Sequence, residues 1–124
     1  MPNDARVEFG KLGEDLACEE LRRRGYSIVE RRFRTRCGEL DIVARDGNVL
    51  VFVEVKARSG GSFGTPFEAV TSQKRHRISR MAASYLFVKH LRDVSCRFDV
   101  VSVTRDSSGR CTVEVLKSAF DLEP

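Results

Sequence analysis

The stretch Gly38–Arg58, GELDIVARDGNVLVFVEVKAR, decides how the rest of the chain is read. Two apolar segments flank Asp46-Gly47, a strong signal for a two-residue hairpin loop. Asp41, Glu54 and Lys56 interrupt those segments. With Asp46 and Gly47 as the loop, opposed residue numbers sum to 93. Asp41 then faces Phe52, Glu39 faces Glu54, and Asp41 lies diagonally beside Glu54. Residues opposed across strands, and residues two apart on one strand, share a face. Glu39, Asp41, Leu50, Phe52, Glu54 and Lys56 are therefore expected to project together. A four-residue loop, Arg45–Asn48, keeps this parity; a three-residue loop destroys it.

Charges inside strands this apolar have two readings. One is a buried Glu54–Lys56 ion pair closing a central strand, although such pairs gain little net stability after desolvation. The other is a metal centre for phosphodiester hydrolysis. A hard divalent cation, Mg²⁺ or Mn²⁺, takes oxygen ligands and keeps several waters. Asp41 and Glu54 supply the carboxylates, and Lys56 orients or deprotonates the attacking water and counters the developing negative charge. Glu14 borders the buried stripe of a predicted helix and is placed to add a ligand, directly or through water. Glu39 is either an outer ligand or a partner for Lys56.

Outward from this stretch, Phe9, Leu12, Leu16, Ala17 and Leu21 recur at helical spacing over residues 5–24, with Asn3 or Asp4 as N-cap and Gly25 as C-cap. Gly10 and Gly13 each weaken that helix by up to about 1 kcal/mol, which suggests close packing on a sheet. Residues 26–36 read as a first strand. Val49–Val55 is apolar on both faces, as in a central strand covered on both sides. A Gly- and Ser-rich loop, SGGSFGTPFEAV, follows beside the site. A helix from near Ser72 to about His90 carries Ile78, Met81, Ala82, Tyr85 and Leu86. Lys74 leans toward the sheet, Arg75 and Arg80 point outward, and His76 and His90 lie on the helix surface. Arg97–Thr104 is a strand and Cys111–Leu116 an edge strand after a turn. The order α-β-β-β-α-β-β implies an α/β fold, a mixed central sheet flanked by helices, in a single domain over residues 1–124.

Hydrophobic residues at 41% and charged residues at 32% exclude a disordered chain. No apolar run reaches the roughly 20 residues that span a bilayer, and the N-terminus lacks a signal-peptide core. A cytoplasmic protein without membrane contact is expected. Four separated cysteines, with no C-x-x-C pair, read as reduced thiols rather than zinc ligands. The net charge of +4 is concentrated: seven arginines fall within residues 22–36 against one acid, Glu30. Lys74, Arg75, Arg77 and Arg80 form a second group. Both groups suit a polyanion, and equally read as solvated basic faces.

The run GELDIVARDG…LVFVEVKAR…FGTPFEAV…QK, preceded by LGEDLA, resembles the YraN-type bacterial proteins over about residues 7–104. That family is similar to archaeal Holliday junction resolvases and to restriction-endonuclease-like nucleases. The resemblance implies a restriction-endonuclease-like core, with the D-x(n)-E-x-K signature on Asp41, Glu54 and Lys56 and the helical Glu on Glu14. Gln73 and Lys74 stand where a helical Gln/Lys supports the site in related nucleases. Nucleic acid, DNA ahead of RNA, is the expected partner, with Arg31, Arg32, Arg34, Arg36, Arg58, Arg75 and Arg77 as the candidate backbone contacts; RNA processing is a third reading, which these residues do not separate from DNA cleavage. Junction-cutting relatives are dimers, which makes a homodimer an expectation of the resemblance. Two departures stand out: Leu40 where the wider superfamily often has Pro, and Arg32-Phe33-Arg34 where family members often carry Asn-aromatic-Arg. The alternative from another class is a non-catalytic nucleic-acid-binding or adaptor protein on the same scaffold.

Overall fold

Helix α1 (Ala5–Arg23) ends where its sequence says it should. Gly25 adopts φ 93, and the Gly25 and Tyr26 N–H groups donate to the Arg22 and Leu21 carbonyls, the paired bonds of a Schellman stop. Strands β1 (Ser27–Thr35), β2 (Gly38–Asp46) and β3 (Val49–Ser59) follow, then helix α2 (Ser72–Val88), β4 (Cys96–Arg105) and β5 (Cys111–Phe120). The structure, a computed structural model, describes residues 5–59 and 71–120. The expected caps Asn3 and Asp4, the Gly- and Ser-rich segment after Ser59 and the last four residues lie outside them. No helix among the described residues is long and apolar enough to cross a membrane.

The five strands form one sheet in the order β1-β2-β3-β4-β5. Pairing is antiparallel except between β3 and β4, where α2 provides the crossover that a parallel pair requires. The expected α/β class, element order and mixed sheet are all borne out, with β3 at the centre. Alternation divides β3 between two cores. Val51 and Val53 pack with Phe9, Ala17, Cys18 and Leu21 of α1, whereas Leu50 and Phe52 pack with Ile78, Met81, Ala82 and Tyr85 of α2. Tyr85 meets Phe33 and Phe52 edge-on, at centroid distances of 4.9 and 5.8 Å.

Three local expectations are corrected. The hairpin loop is Gly47-Asn48, because the ladder runs from Asp46↔Val49 to Ile42↔Val53. Gly47, at φ 63, carries the loop's positive φ; a II′ turn demands glycine at its first position, so the loop starts one residue later than expected. Parity survives, but Asp41 and Glu54 each lie one residue beyond the last β2–β3 pair, Ile42↔Val53, rather than diagonal within the ladder. Helix α2 stops at Val88, and His90 is not helical: at φ 56 it takes the left-handed stop position. Finally, β5 continues through Phe120, beyond the expected Leu116.

A polar clamp that the sequence reading passed over ties the other end of the sheet. Asp99 is 1% exposed and accepts from Tyr26 Oη at 2.6 Å, Arg97 Nε at 2.9 Å, Arg97 Nη2 at 3.0 Å and the Ser118 N–H at 3.0 Å. Arg97 also donates to Asp46 at 2.9 Å. The β4–β5 register shifts between Phe98 and Val100, and Ser118, at φ 55, brings its N–H to the carboxylate. Burial first, then the bond to Asp99, holds the Tyr26 phenol well above its ordinary pKa.

Gly13 is where α1 touches the sheet: a Cβ there would lie 2.8 Å from Ala57 Cβ, while one at Gly10 meets nothing within 4 Å. Close packing thus explains Gly13 and not Gly10. In urea unfolding, Gly10→Ala is expected to stabilise by up to about 1 kcal/mol, and Gly13→Ala to destabilise by about 1–2 kcal/mol. Asp99→Ala strands Arg97 and Tyr26 in the interior and is expected to cost about 3–5 kcal/mol by the same measurement.

Candidate metal centre and nucleic-acid interface

Strand β2 pairs with β3 only as far as Ile42↔Val53. Before that point β2 continues beside β1 through Leu40, Glu39 and Gly38, and beyond it β3 continues beside β4 to Ser59↔Arg105. The two strands part, and Asp41 sits in the fork. Its Oδ2 accepts the Val55 N–H at 2.8 Å, taking the place a backbone carbonyl would hold in an unbroken ladder. Leu40 and Val43 pack into the same α2-side cluster, so strict alternation fails across Asp41-Ile42. The expected common face holds for Leu50, Phe52 and Glu54 and fails for Glu39. That residue pairs with Arg34 at 3.5 Å and lines a cavity on the α1 side.

The fork is electrostatically costly. Burial first, and the neighbouring Glu54 carboxylate second, push the Asp41 pKa up to about 7; the Val55 N–H pulls it down, and Glu14 and Glu39 push it further up. Lys56 is only 8% exposed. Burial, then Lys74 and Arg58, lower its pKa, against the pull of Glu54. Lys74 does lean to the sheet, with Nζ 3.3 Å from Glu54 Oε2.

Beside Lys74 runs a basic groove of about 680 Å³, lined by Cys37, Thr71, Gln73, Lys74, His76, Arg77 and Arg80. Thr71 caps α2 by accepting the Lys74 N–H. Gln73 is exposed on the groove wall. Arg75 corrects an expectation: it turns inward, half-buried, and its buried Nε has no hydrogen-bond partner among the described residues. Positions 75, 78 and 82 share one helical stripe, and Ile78 and Ala82 are buried on it.

On the other side of the fork, Glu14, 9% exposed, comes from α1 toward Asp41. Its Oε1 accepts from Arg31 Nη2 at 2.9 Å, Arg31 Nε at 3.0 Å and Arg32 Nε at 3.1 Å; Arg31 also reaches Asp15 at 2.8 Å. Glu14, Glu39, Asp41, Lys11 and Arg32 line a cavity of about 430 Å³. Among the described residues, no three His, Cys, Asp or Glu side chains gather closely enough to hold a metal ion. Glu14 is paired with Arg31 and Arg32, and Glu54 with Lys74. Of the remaining arginines singled out, Arg36 is exposed in the β1–β2 turn and Arg58 is half-buried near Lys56. The four cysteines are free thiols. Cys37 sits in the basic groove, a position its sequence context did not signal.

A family model described as "Uncharacterised protein family UPF0102" matches residues 13–103. A "UPF0102 protein" of Syntrophus aciditrophicus is 47% identical over 116 residues, covering 94% of this chain and 91% of the relative. Another, from Geotalea daltonii, is 45% identical over 120 residues, covering 97% and 94%. One from Moorella thermoacetica is 49% identical over 116 residues, covering 93% and 97%.

The raised Asp41 pKa has a definite sign in stability. Between the unfolded value near 3.8 and the folded value of about 7, the folded chain holds the extra proton, so this group's contribution falls as pH rises through that window. In metal-free buffer, Asp41→Asn keeps an acceptor for Val55 and is expected to be about 2–4 kcal/mol more stable than wild type at pH 8. Near pH 4 the difference is expected to vanish. Paired urea titrations at the two pH values check this.

Proposed function

The chain belongs to the uncharacterised protein family UPF0102, and from that premise and the fork geometry we propose that it is a divalent-metal-dependent endonuclease hydrolysing phosphodiester bonds in DNA. The observation that carries the reading is the Asp41–Glu54 carboxylate pair, one member desolvated and repelled by the other, beside the buried amine of Lys56. A hard dication fits this donor set. Two carboxylates would supply the charge and leave positions for water and phosphate oxygen, and the Glu54 repulsion that adds to burial in raising Asp41 would be offset. Asp41 and Glu54 would hold it, with Lys74 yielding the Glu54 oxygen it now occupies. When bound, Mg²⁺ or Mn²⁺ supplies Lewis-acid polarisation and a more acidic water.

The chain's own groups do the rest. Lys56, its pKa lowered by burial, exchanges a proton with the attacking water more readily than a solvated lysine and offsets charge building on the phosphate. Lys74, paired with Glu54, lines a groove together with Arg77 and Arg80, matching a polyanionic backbone bound by charge rather than by base identity. DNA branched during repair or recombination is the substrate suggested by the resemblance to junction resolvases.

A second reading is favoured by one observation: Glu54 and Glu14 already hold cations of the chain itself, as suits a non-catalytic nucleic-acid adaptor. The two separate in one experiment. Linear, flapped and four-way DNA are incubated with Mg²⁺ or Mn²⁺, and wild type is compared with Glu54→Gln. The nuclease reading expects cleavage that falls at least about 100-fold in the variant, with thermal stability retained. Absence of cleavage on every substrate, together with salt-sensitive binding untouched by Glu54→Gln, sinks it in favour of the adaptor.

A further inference from the structure

Two adjacent residues of β1 reach a single carboxylate oxygen, Glu14 Oε1. Alternation along a strand sends neighbours to opposite faces. Both guanidinium groups come to one side because Arg32 adopts φ 57, a conformation that strains a non-glycine side chain. The burial is also lopsided. The Glu14 side chain is enclosed at 12% exposure, while those of Arg31 and Arg32 are 34% and 45% exposed. An anion arriving from solvent meets the arginines before it meets Glu14. Behind them, Glu14 shares the 430 Å³ cavity with Asp41.

From this geometry we infer that Arg31 and Arg32 form a phosphodiester-binding subsite that closes on Glu14 when no nucleic acid is bound, and that this exchange couples nucleic-acid binding to metal binding. The inference rests on the nuclease reading, whose cation it takes as given. Guanidinium planes match phosphate as well as they match carboxylate. When a backbone phosphate takes the two arginines, Glu14 is left as an enclosed carboxylate without its counter-charge, an unfavourable state. A dication beside Asp41 relieves it. Conversely, a dication that neutralises Glu14 and Asp41 releases the arginines for phosphate, and linkage makes the two effects equal. An ordinary fastening of α1 to β1 predicts no such coupling.

The test is calorimetric titration with Ca²⁺, used so that cleavage does not intervene, into the full chain alone and saturated with a short DNA duplex. Wild type, Arg31→Gln/Arg32→Asn and Glu54→Gln are compared. Asparagine accepts left-handed φ readily, so the double variant removes both guanidinium groups without new strain. In wild type, DNA is expected to raise Ca²⁺ affinity about tenfold. The double variant is expected to bind Ca²⁺ more tightly than wild type without DNA, and to gain less than about twofold on adding it. Undiminished coupling in the double variant would be the counterion atmosphere of DNA, and overturns the subsite. Absent coupling in wild type, with Ca²⁺ binding still abolished by Glu54→Gln, overturns the subsite and leaves the nuclease reading standing. Failure of wild type to bind Ca²⁺ in either condition overturns both. If thermal melting shows the double variant unfolded, Arg32→Asn alone carries the same comparison with a smaller expected change.

Discussion

The hydrogen bond from the Val55 N–H to the Asp41 carboxylate is the constraint on which the rest turns. A sheet interior has no place for an unpaired amide, so β2 can leave β3 only if something replaces the lost carbonyl. Asp41 does so with its side chain. The fork is thereby held open, and its two edges carry Glu54 and Lys56 on one side and the approach to Glu14 on the other. The same bond lowers the cost of burying Asp41 without cancelling it, which is why the carboxyl still sits near pH 7. Position and poise have one cause.

Much of this was legible from spacing. Apolar alternation along Val49–Val55 located the central strand, and the hairpin signal brought Asp41 to Glu54 even though the loop began one residue late, because either loop preserves parity. Lys74 was legible too, since it stands one turn ahead of Ile78. Strand parting was not legible. Nothing in GELDIVARDG says that the ladder stops at Ile42, or that Leu40 and Val43 share a face. Arg32 was likewise opaque: a positive φ inside a strand has no signal when the residue is arginine.

The acids in apolar strands had different fates. Asp99 and Asp41 present the same pattern to a reader of the sequence, one carboxylate among branched aliphatic residues. In the fold Asp99 collects four hydrogen bonds, two of them from an arginine, whereas Asp41 is given one amide and a second carboxylate for company. A buried acid that is fully satisfied is architecture; one left in conflict with a like charge is a candidate for chemistry. The sequence carries the pattern but not the partners, which come from residues up to 73 positions away.

Gly13 gains a meaning beyond packing when set beside its neighbour. Its missing side chain lets α1 settle against Ala57, and Glu14, the next residue, is carried to its depth by that settling. Positions 13 and 57 therefore act as a depth gauge for the acid on the helix. A larger residue at either would lift the helix and withdraw Glu14 from Asp41, with no atom of the site itself altered. Volume added at 57 has nowhere to go while α1 keeps its height, so position 57 limits the helix as much as position 13 does.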